Sequence, residues 1–316
     1  MSPGHLTSNS RWTAYQVALR PSAPLHIGWR TFGNVRQTRP YIPGRTLWGA
    51  LTARLARDLC ANDYEAAARI VDREVRFGYF YPAIGGAIGP DPAAAPCWPW
   101  GPDGDEFAWR YLGSYTSTAL RDGRSKLDGS LHEMEYIAPF TREGQPVWLA
   151  GPIWIRRASP PEPLGTPEEL AILWKRLVIG AERGYGWGRF RHVRICLIEE
   201  GHYLPGTGWR WTAEAGEITV TNPHADSHLL AHLLLPDALL TDRDRSARQS
   251  QPEPSHGLLD WAIEPMLGRT TPLKGGHLRA GAQILQANLC VVPGSRVAPG
   301  RRYSVGPLGL WRTLSH

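Results

Sequence analysis

Lysine is almost missing from this chain of 316 residues: Lys126, Lys175 and Lys274 stand against 35 basic residues in all, which leaves 35 − 3 = 32 arginines. No G-x-x-x-x-G-K-[ST] segment occurs, so phosphate binding through a P-loop has no support. The cysteines Cys60, Cys97, Cys196 and Cys290 lie far apart and form no C-x-x-C pair, which removes the zinc ribbon and the dithiol redox motif and points to free thiols in a reducing compartment. No run of about 18 apolar residues is present, and MSPGHLTSNSRW lacks the apolar stretch of a secretory signal, so a cytoplasmic protein without a membrane partner is expected. Acidic residues are absent from Met1 to Arg57, a stretch that holds Arg11, Arg20, Arg30, Arg36, Arg39, Arg45, Arg54 and Arg57.

Much of the arginine excess over lysine is what a GC-rich genome produces, but its placement carries information. A solvated surface usually mixes signs, and this amino-terminal segment does not. With a formal charge of +6, the chain shows an electrostatic footprint suited to a polyanion. Arginine's planar fork matches phosphate and stacks on bases. The 14 tryptophans imply exposed apolar surface that assembly would bury.

Alternation predicts a strand over Trp12–Leu19 and others over Arg73–Tyr81 and Val147–Arg156. Leu47, Leu51, Leu55 and Leu59 recur every fourth residue and predict a helix from about Arg45 to Cys60. That helix opens at Pro43-Gly44, where free backbone N–H groups and Arg45 make an expected anion site. A clearer helix runs over Thr166–Ile179, with Thr166 as cap, Pro167 in the first turn and Glu168 and Glu169 at the positive end. Residues 1–11 are read as disordered, 82–113 as an inserted loop, and 115–140 as a protruding hairpin whose tip carries Arg121, Arg124 and Lys126. Element order predicts an α+β, ferredoxin-like (RRM-like) domain over 12–200. Residues 201–316 are expected to form a second, smaller, degenerate domain of the same type or an extension of the first sheet.

The stretch IGAERGYGWGRFRHVRI holds the strongest chemical signal. Gly184, Gly186 and Gly188 alternate with Tyr185 and Trp187 and are flanked by Arg183, Arg189 and Arg191. It follows a helix and leads into a strand, the reverse of the dinucleotide-binding order. Aromatic platforms beside arginines are what single-stranded nucleic acid sites use, and glycines let a backbone approach closely. The competing reading makes Tyr185 and Trp187 core residues of a packing loop; a tryptophan-lined carbohydrate or small-molecule site is a third.

Four segments in order, PLHIG, YIPGRTLWGALTARLA, SKLDGSLHEMEYIAPF and IGAERGYGWGRF, resemble the RAMP superfamily of CRISPR-associated proteins. The resemblance covers about Trp12 to Glu200. It implies RRM-like domains that bind CRISPR RNA, and target RNA indirectly, beside other subunits of a type III effector complex. Target-cutting members look to an aspartate between the first two motifs. Here WRTFGNVRQTRPY has no carboxylate, which leaves that role unsupported. Processing nucleases of the family use a histidine near the first strand, for which His26 is available. The resemblance therefore favours the large, non-catalytic subunit that caps the 5′ tag of the guide (type III-D-like), with a metal-independent endoribonuclease using His26, or a repeating or 3′-end backbone subunit, as alternatives. On this reading Arg30, Arg36, Arg39, Gly44, Arg45, Arg121, Lys126, Arg183, Gly184, Tyr185, Gly186, Trp187, Gly188, Arg189 and Arg191 meet RNA, and no cofactor or metal is required.

Overall fold

A computed structural model describes residues 12–84, 96–102, 104–118, 120–121, 125–126, 130–156, 164–204, 206–214, 216–222, 224, 227–235, 258–260, 262–270 and 283–314. The side chains of 120–121, 125–126, 258–259, 267–270 and 283–287 lie outside that description. So do the amino-terminal 1–11, the hairpin-tip residue Arg124 and the side chains of Arg121 and Lys126.

The chain is a mixed α/β structure. Its first sheet has the order β11-β1-β10-β4, from β1 (Trp12–Pro21), β4 (Val75–Phe77), β10 (Val147–Arg156) and β11 (Phe190–Ile198), with β5 (Tyr81–Ile84) also paired to β10. Every one of these pairings is antiparallel. Helices α1 (Gly44–Asp58) and α2 (Tyr64–Glu74) lie between β1 and β4 in the chain, and α4 (Pro167–Lys175) lies between β10 and β11. Period-2 alternation sends Val17 and Leu19 of β1 into one core with Leu47, Leu51 and Leu55 of α1, Val71 of α2, and Leu170, Leu173 and Trp174 of α4. Ala14 and Trp12, on the other face, enter a second core with Trp154, Trp209, Trp211, Tyr303 and Trp311.

That second core belongs to the carboxyl-terminal part. Strands β12 (Arg210–Glu214), β13 (Glu217–Thr221), β15 (Leu233–Leu234), β17 (Ile263–Thr270), β18 (Gln283–Val291), β20 (Arg302–Val305) and β21 (Trp311–Thr313) form a seven-stranded sheet in the order β12-β13-β20-β21-β15-β18-β17. Short strands β14 (Ser227–His228), β16 (Leu258–Asp260) and β19 (Arg296–Val297) make a separate three-stranded sheet. No helix occurs among the described residues after Ile198.

A smaller sheet, β2-β3-β9-β6, stands beside these: β2 (Gly28–Phe32), β3 (Val35–Thr38), β6 (Leu112–Ser117) and β9 (His132–Ile137). β6 and β9 pair antiparallel from Leu112↔Ile137 to Ser117↔His132, and β7 (Leu120–Arg121) with β8 (Ser125–Lys126) forms a ribbon in the segment that joins them.

Several local expectations change. The basic stretch after Ile27 is a hairpin, β2–β3, instead of an irregular loop, because Gly33 takes the left-handed conformation at its turn. Residues 82–113 are not wholly a loop: α3 (Gly104–Tyr111) buries Phe107 and Tyr111 against Val147. Helix α2, capped by the Asp63 carboxylate on the N–H groups of Glu65 and Ala66, occupies residues whose last two were expected in a strand. Helix α1 stops at Asp58, leaving Leu59 exposed. Helix α4 keeps its expected Thr166 cap, which the structure extends to a capping box with Glu169, but ends at Lys175. Many tryptophans serve cores: Trp12, Trp154, Trp174 and Trp311 are among the largest fully buried side chains.

At the start of α1 the two halves meet backbone to backbone. A Cβ on Gly44 would stand 2.8 Å from the Leu308 carbonyl oxygen and 2.8 Å from the Gly309 Cα, and Gly309 itself has φ +73°. Both obstacles are backbone, so neither can rotate away. Gly44→Ala is expected to lower stability by about 1–3 kcal/mol, the usual cost of overpacking, measured as the shift in urea midpoint at unchanged slope. An unchanged midpoint would mean that the two halves do not meet at this glycine.

Candidate nucleic-acid interface

Three of the four sequence motifs converge through backbone hydrogen bonds. The glycine-rich loop is pinned to the PLHIG segment, with the Ala181 N–H donating to the His26 carbonyl at 2.9 Å and the Gly188 N–H to the Pro24 carbonyl at 3.0 Å. That segment is joined to β9 of the insertion by the reciprocal pair Leu25–Ile137, at 3.1 and 2.8 Å. The loop therefore sits beside the small sheet because the residues after β1 hold both.

Within the loop the glycines differ in cause. Gly188 has φ +75° and a Cβ there would lie 1.9 Å from the Ile179 carbonyl oxygen, so its glycine is required internally. Gly186 has φ +83°, which also favours glycine, with nothing within 4 Å. Gly184 sits in a 3-10 turn, Arg183–Tyr185, and it is exposed, outside the left-handed region and with nothing within 4 Å of a Cβ. Nothing inside the described chain asks for a glycine at that position.

The two aromatics also separate. Tyr185 is 82% exposed, whereas Trp187 is half-buried and packs edge-on against Tyr136 at 5.3 Å and Tyr115 at 6.3 Å. Tyr136 faces Gly113 across the β6–β9 ladder, where any Cβ would meet its ring at 2.7 Å. Tyr115 shares its face with Met134, whose partner on β3 is Arg36. The result is an outer face carrying Arg36, Tyr115, Tyr136 and Trp187, continued by Tyr185 and exposed Arg183, Arg189 and Arg191. Tyr115 and Tyr136 were not among the expected site residues; the signal was the alternation G-S-Y-T in β6 opposite E-Y-I in β9, legible only once the register is known.

Arg30 and Arg36 are exposed on the hairpin. Arg39 departs from expectation. It is buried, and its Nη1 donates to the Glu264 Oε1 at 2.5 Å and to the Tyr41 hydroxyl at 3.3 Å. Burial commits this guanidinium to a carboxylate, so it is not available to a phosphate. Gly44 is buried against the 308–309 backbone, so the first turn of α1 is covered there instead of forming an open anion site. Arg45 is half-buried, with its charge near His232 and Cys290. His26 is 4% exposed, with its Nδ1 2.6 Å from the Glu135 carbonyl oxygen. Among the described residues no group of three His, Cys, Asp or Glu side chains could hold a metal ion, and no helix is long and apolar enough to cross a membrane.

Glu264, on β17, organises a buried network under the hairpin. Its Oε1 accepts from Arg39 and from His232 Nε2, its Oε2 accepts from the Trp29 indole N–H at 2.8 Å, and the Tyr79 hydroxyl lies 2.7 Å from His232 Nδ1. Burial, the largest influence, pushes the Glu264 carboxyl up, but the hydrogen bonds from His232 and Arg39 with their charges outweigh it and hold it at about 2. Burial lowers His232, and Arg39 adds to this against the pull of Glu264. A neutral imidazole facing an ionised carboxylate must carry its proton on Nε2, leaving Nδ1 to accept from Tyr79. Both folded-state values lie below the ordinary 6.5 and 4.5, so the unfolded chain binds protons first on acidification. Stability from this cluster is complete above about pH 6.5 and falls first as unfolded His232 is protonated, then from 4.5 towards 2 as unfolded Glu264 is. Glu264→Gln is expected to cost about 3–5 kcal/mol at neutral pH, as breaking a buried pair does, and to flatten the decline below pH 4.5. A wild-type-like acid profile of urea midpoints in that variant would remove Glu264 from this role.

No family model matches the chain, and no curated protein matches it. Among solved structures it is similar to a chain of the type III-B Cmr-beta complex bound to cognate target RNA and AMPPnP, at 11% identity and TM-score 0.49 over 90% of this chain and 86% of that one. It is also similar to a chain of the Csm3-Csm4 subcomplex of the type III-A CRISPR-Cas interference complex, at 10% identity and TM-score 0.42 over 92% and 94%. A chain of Cmr-beta bound to cognate target RNA matches at 17% identity and TM-score 0.39, over 60% and 61%.

Proposed function

We propose that this chain is a non-catalytic, cytoplasmic CRISPR RNA-binding subunit of a type III effector complex, which caps the 5′ tag of the guide and scaffolds neighbouring subunits. The reading rests on the motif order and on one structural observation: Gly184 is open and without an internal reason to be glycine, beside a tyrosine that is 82% exposed. A ribose-phosphate strand lying on the loop supplies that reason, because it needs the space a Cβ would take. Tyr185 offers a stacking face to a base, and Arg30, Arg36, Arg183, Arg189 and Arg191 neutralise phosphates around it. The first sheet, antiparallel throughout with helices packed on one face, is read as the ferredoxin-like RAMP domain over 12–200. Residues 201–316 are then the second domain, or extension, that covers its other face.

Absence of catalysis is part of this reading. His26 would have to reach a scissile phosphate to act as acid or base, and it is buried, with its ring against the Glu135 carbonyl of β9. The hairpin between the first two motifs offers no carboxylate either.

Tyr185→Ala is expected to weaken binding of single-stranded repeat RNA by about 1–3 kcal/mol. Gly184→Leu should weaken it as well while leaving the thermal midpoint unchanged, since nothing within 4 Å is displaced. Titration of labelled RNA against each variant checks both, and full affinity in the pair would sink the proposed path. Repeat RNA incubated with the purified chain, in EDTA or in magnesium, should stay intact. Defined products lost in His26→Ala would establish the nuclease alternative instead.

A further inference from the structure

The described hairpin β2–β3 shows a feature that the glycine-rich loop does not explain. All five residues of β2 are exposed, yet the Trp29 ring, 39% exposed, is fixed from below by its N–H on the buried Glu264 at 2.8 Å. On that ring lies the Arg30 guanidinium, its carbon 4.2 Å from the centroid. Arg30 has no carboxylate partner among the described residues, and residues 28–38 contain no Asp or Glu. An arginine in a solvated hairpin normally samples many rotamers, and here the indole restricts it.

We infer that Trp29 and Glu264 are positioning residues that hold Arg30 as a preset contact for a phosphate of single-stranded RNA. Stacking occupies the face of the guanidinium and leaves its N–H edge free, which is the edge a phosphate oxygen takes. Glu264 reaches this site from the carboxyl-terminal sheet, so β17 shapes RNA binding on the amino-terminal hairpin without touching the RNA. The occupant is argued from charge: a cationic hairpin, exposed Arg36 on the neighbouring strand, and the aromatic face of Tyr115 and Trp187 beyond it. The inference rests on the proposed RNA-binding role.

The test measures affinity of the full chain for a labelled single-stranded RNA across a range of salt. Arg30→Ala should weaken binding and reduce the slope of log K against log salt by about 0.7, the value for one phosphate contact on a single strand. Trp29→Ala should weaken binding by a similar factor, with the Trp29→Ala/Arg30→Ala double variant no weaker than Arg30→Ala alone. Trp29→Phe, which keeps a ring but loses the N–H to Glu264, should fall between, and serves if Trp29→Ala does not fold. An unchanged slope in Arg30→Ala, or losses that multiply in the double variant, overturns the inference. If RNA binds and responds to Tyr185→Ala while Arg30→Ala is silent, this inference alone fails. A chain that binds no RNA overturns the proposed function and this inference with it.

Discussion

One buried carboxylate ties the molecule's parts into a single arrangement. Glu264 comes from the carboxyl-terminal sheet, yet its partners Trp29 and Arg39 belong to the hairpin region after β1, and His232 directly precedes β15, the strand next to β18. An ionised group at this depth is tolerated only when it is paired and hydrogen-bonded, and here both oxygens are engaged. The hairpin therefore has a definite position with respect to the seven-stranded sheet, and the exposed Arg30 and Arg36 inherit it. Close contact of Gly44 with Gly309 fixes a second point of the same interface by shape alone. Charge and shape act together here, one specifying orientation and the other distance.

The carboxyl-terminal sheet also decides where a ligand can lie. In an antiparallel sheet with helices on one side, the other side is an open surface in principle. Here Trp12, Ala14 and Trp154 on that side pack into one core with Trp209, Trp211 and Trp311. This end of the face is consumed by folding, and burying such rings contributes far more than a solvated surface would. Accessible aromatics remain on the small sheet and the loop beside it, and separately at Trp109 of α3 and at Phe140. The candidate interface is thus displaced from the main sheet to its flank, where Tyr115 and Tyr185 are exposed.

Much of the frame was legible in the sequence because its signals are local. The Leu47, Leu51, Leu55 spacing, the Thr166 cap of α4 and the alternation of β1 each depend on neighbours a few residues away. The fate of Arg39 was not legible, because its partner lies 225 residues further on. The same holds for Gly44, whose obstacle is at 308–309, and for Tyr115 and Tyr136, which become one surface only through a ladder and Trp187. Composition did not sort the tryptophans: Trp12, Trp154, Trp174 and Trp311 are core while Trp29 and Trp109 are exposed, since core and interface both select large aromatics.

Glycine gives the sharpest contrast between what folding demands and what it leaves over. A glycine forced by positive φ or by a colliding backbone is accounted for within the chain, as at Gly188 and Gly309. One in ordinary backbone and open space costs conformational entropy and returns no packing. Gly184 is of the second kind, and it lies next to the most exposed aromatic of the loop. Some other open glycines, such as Gly144 at φ +81°, have the backbone angle as a sufficient reason, and Gly49 within α1 is open without one but carries no exposed aromatic beside it. Gly184 has neither reason, and a residue whose cost is not repaid inside the fold is the place at which an outside strand has most to explain.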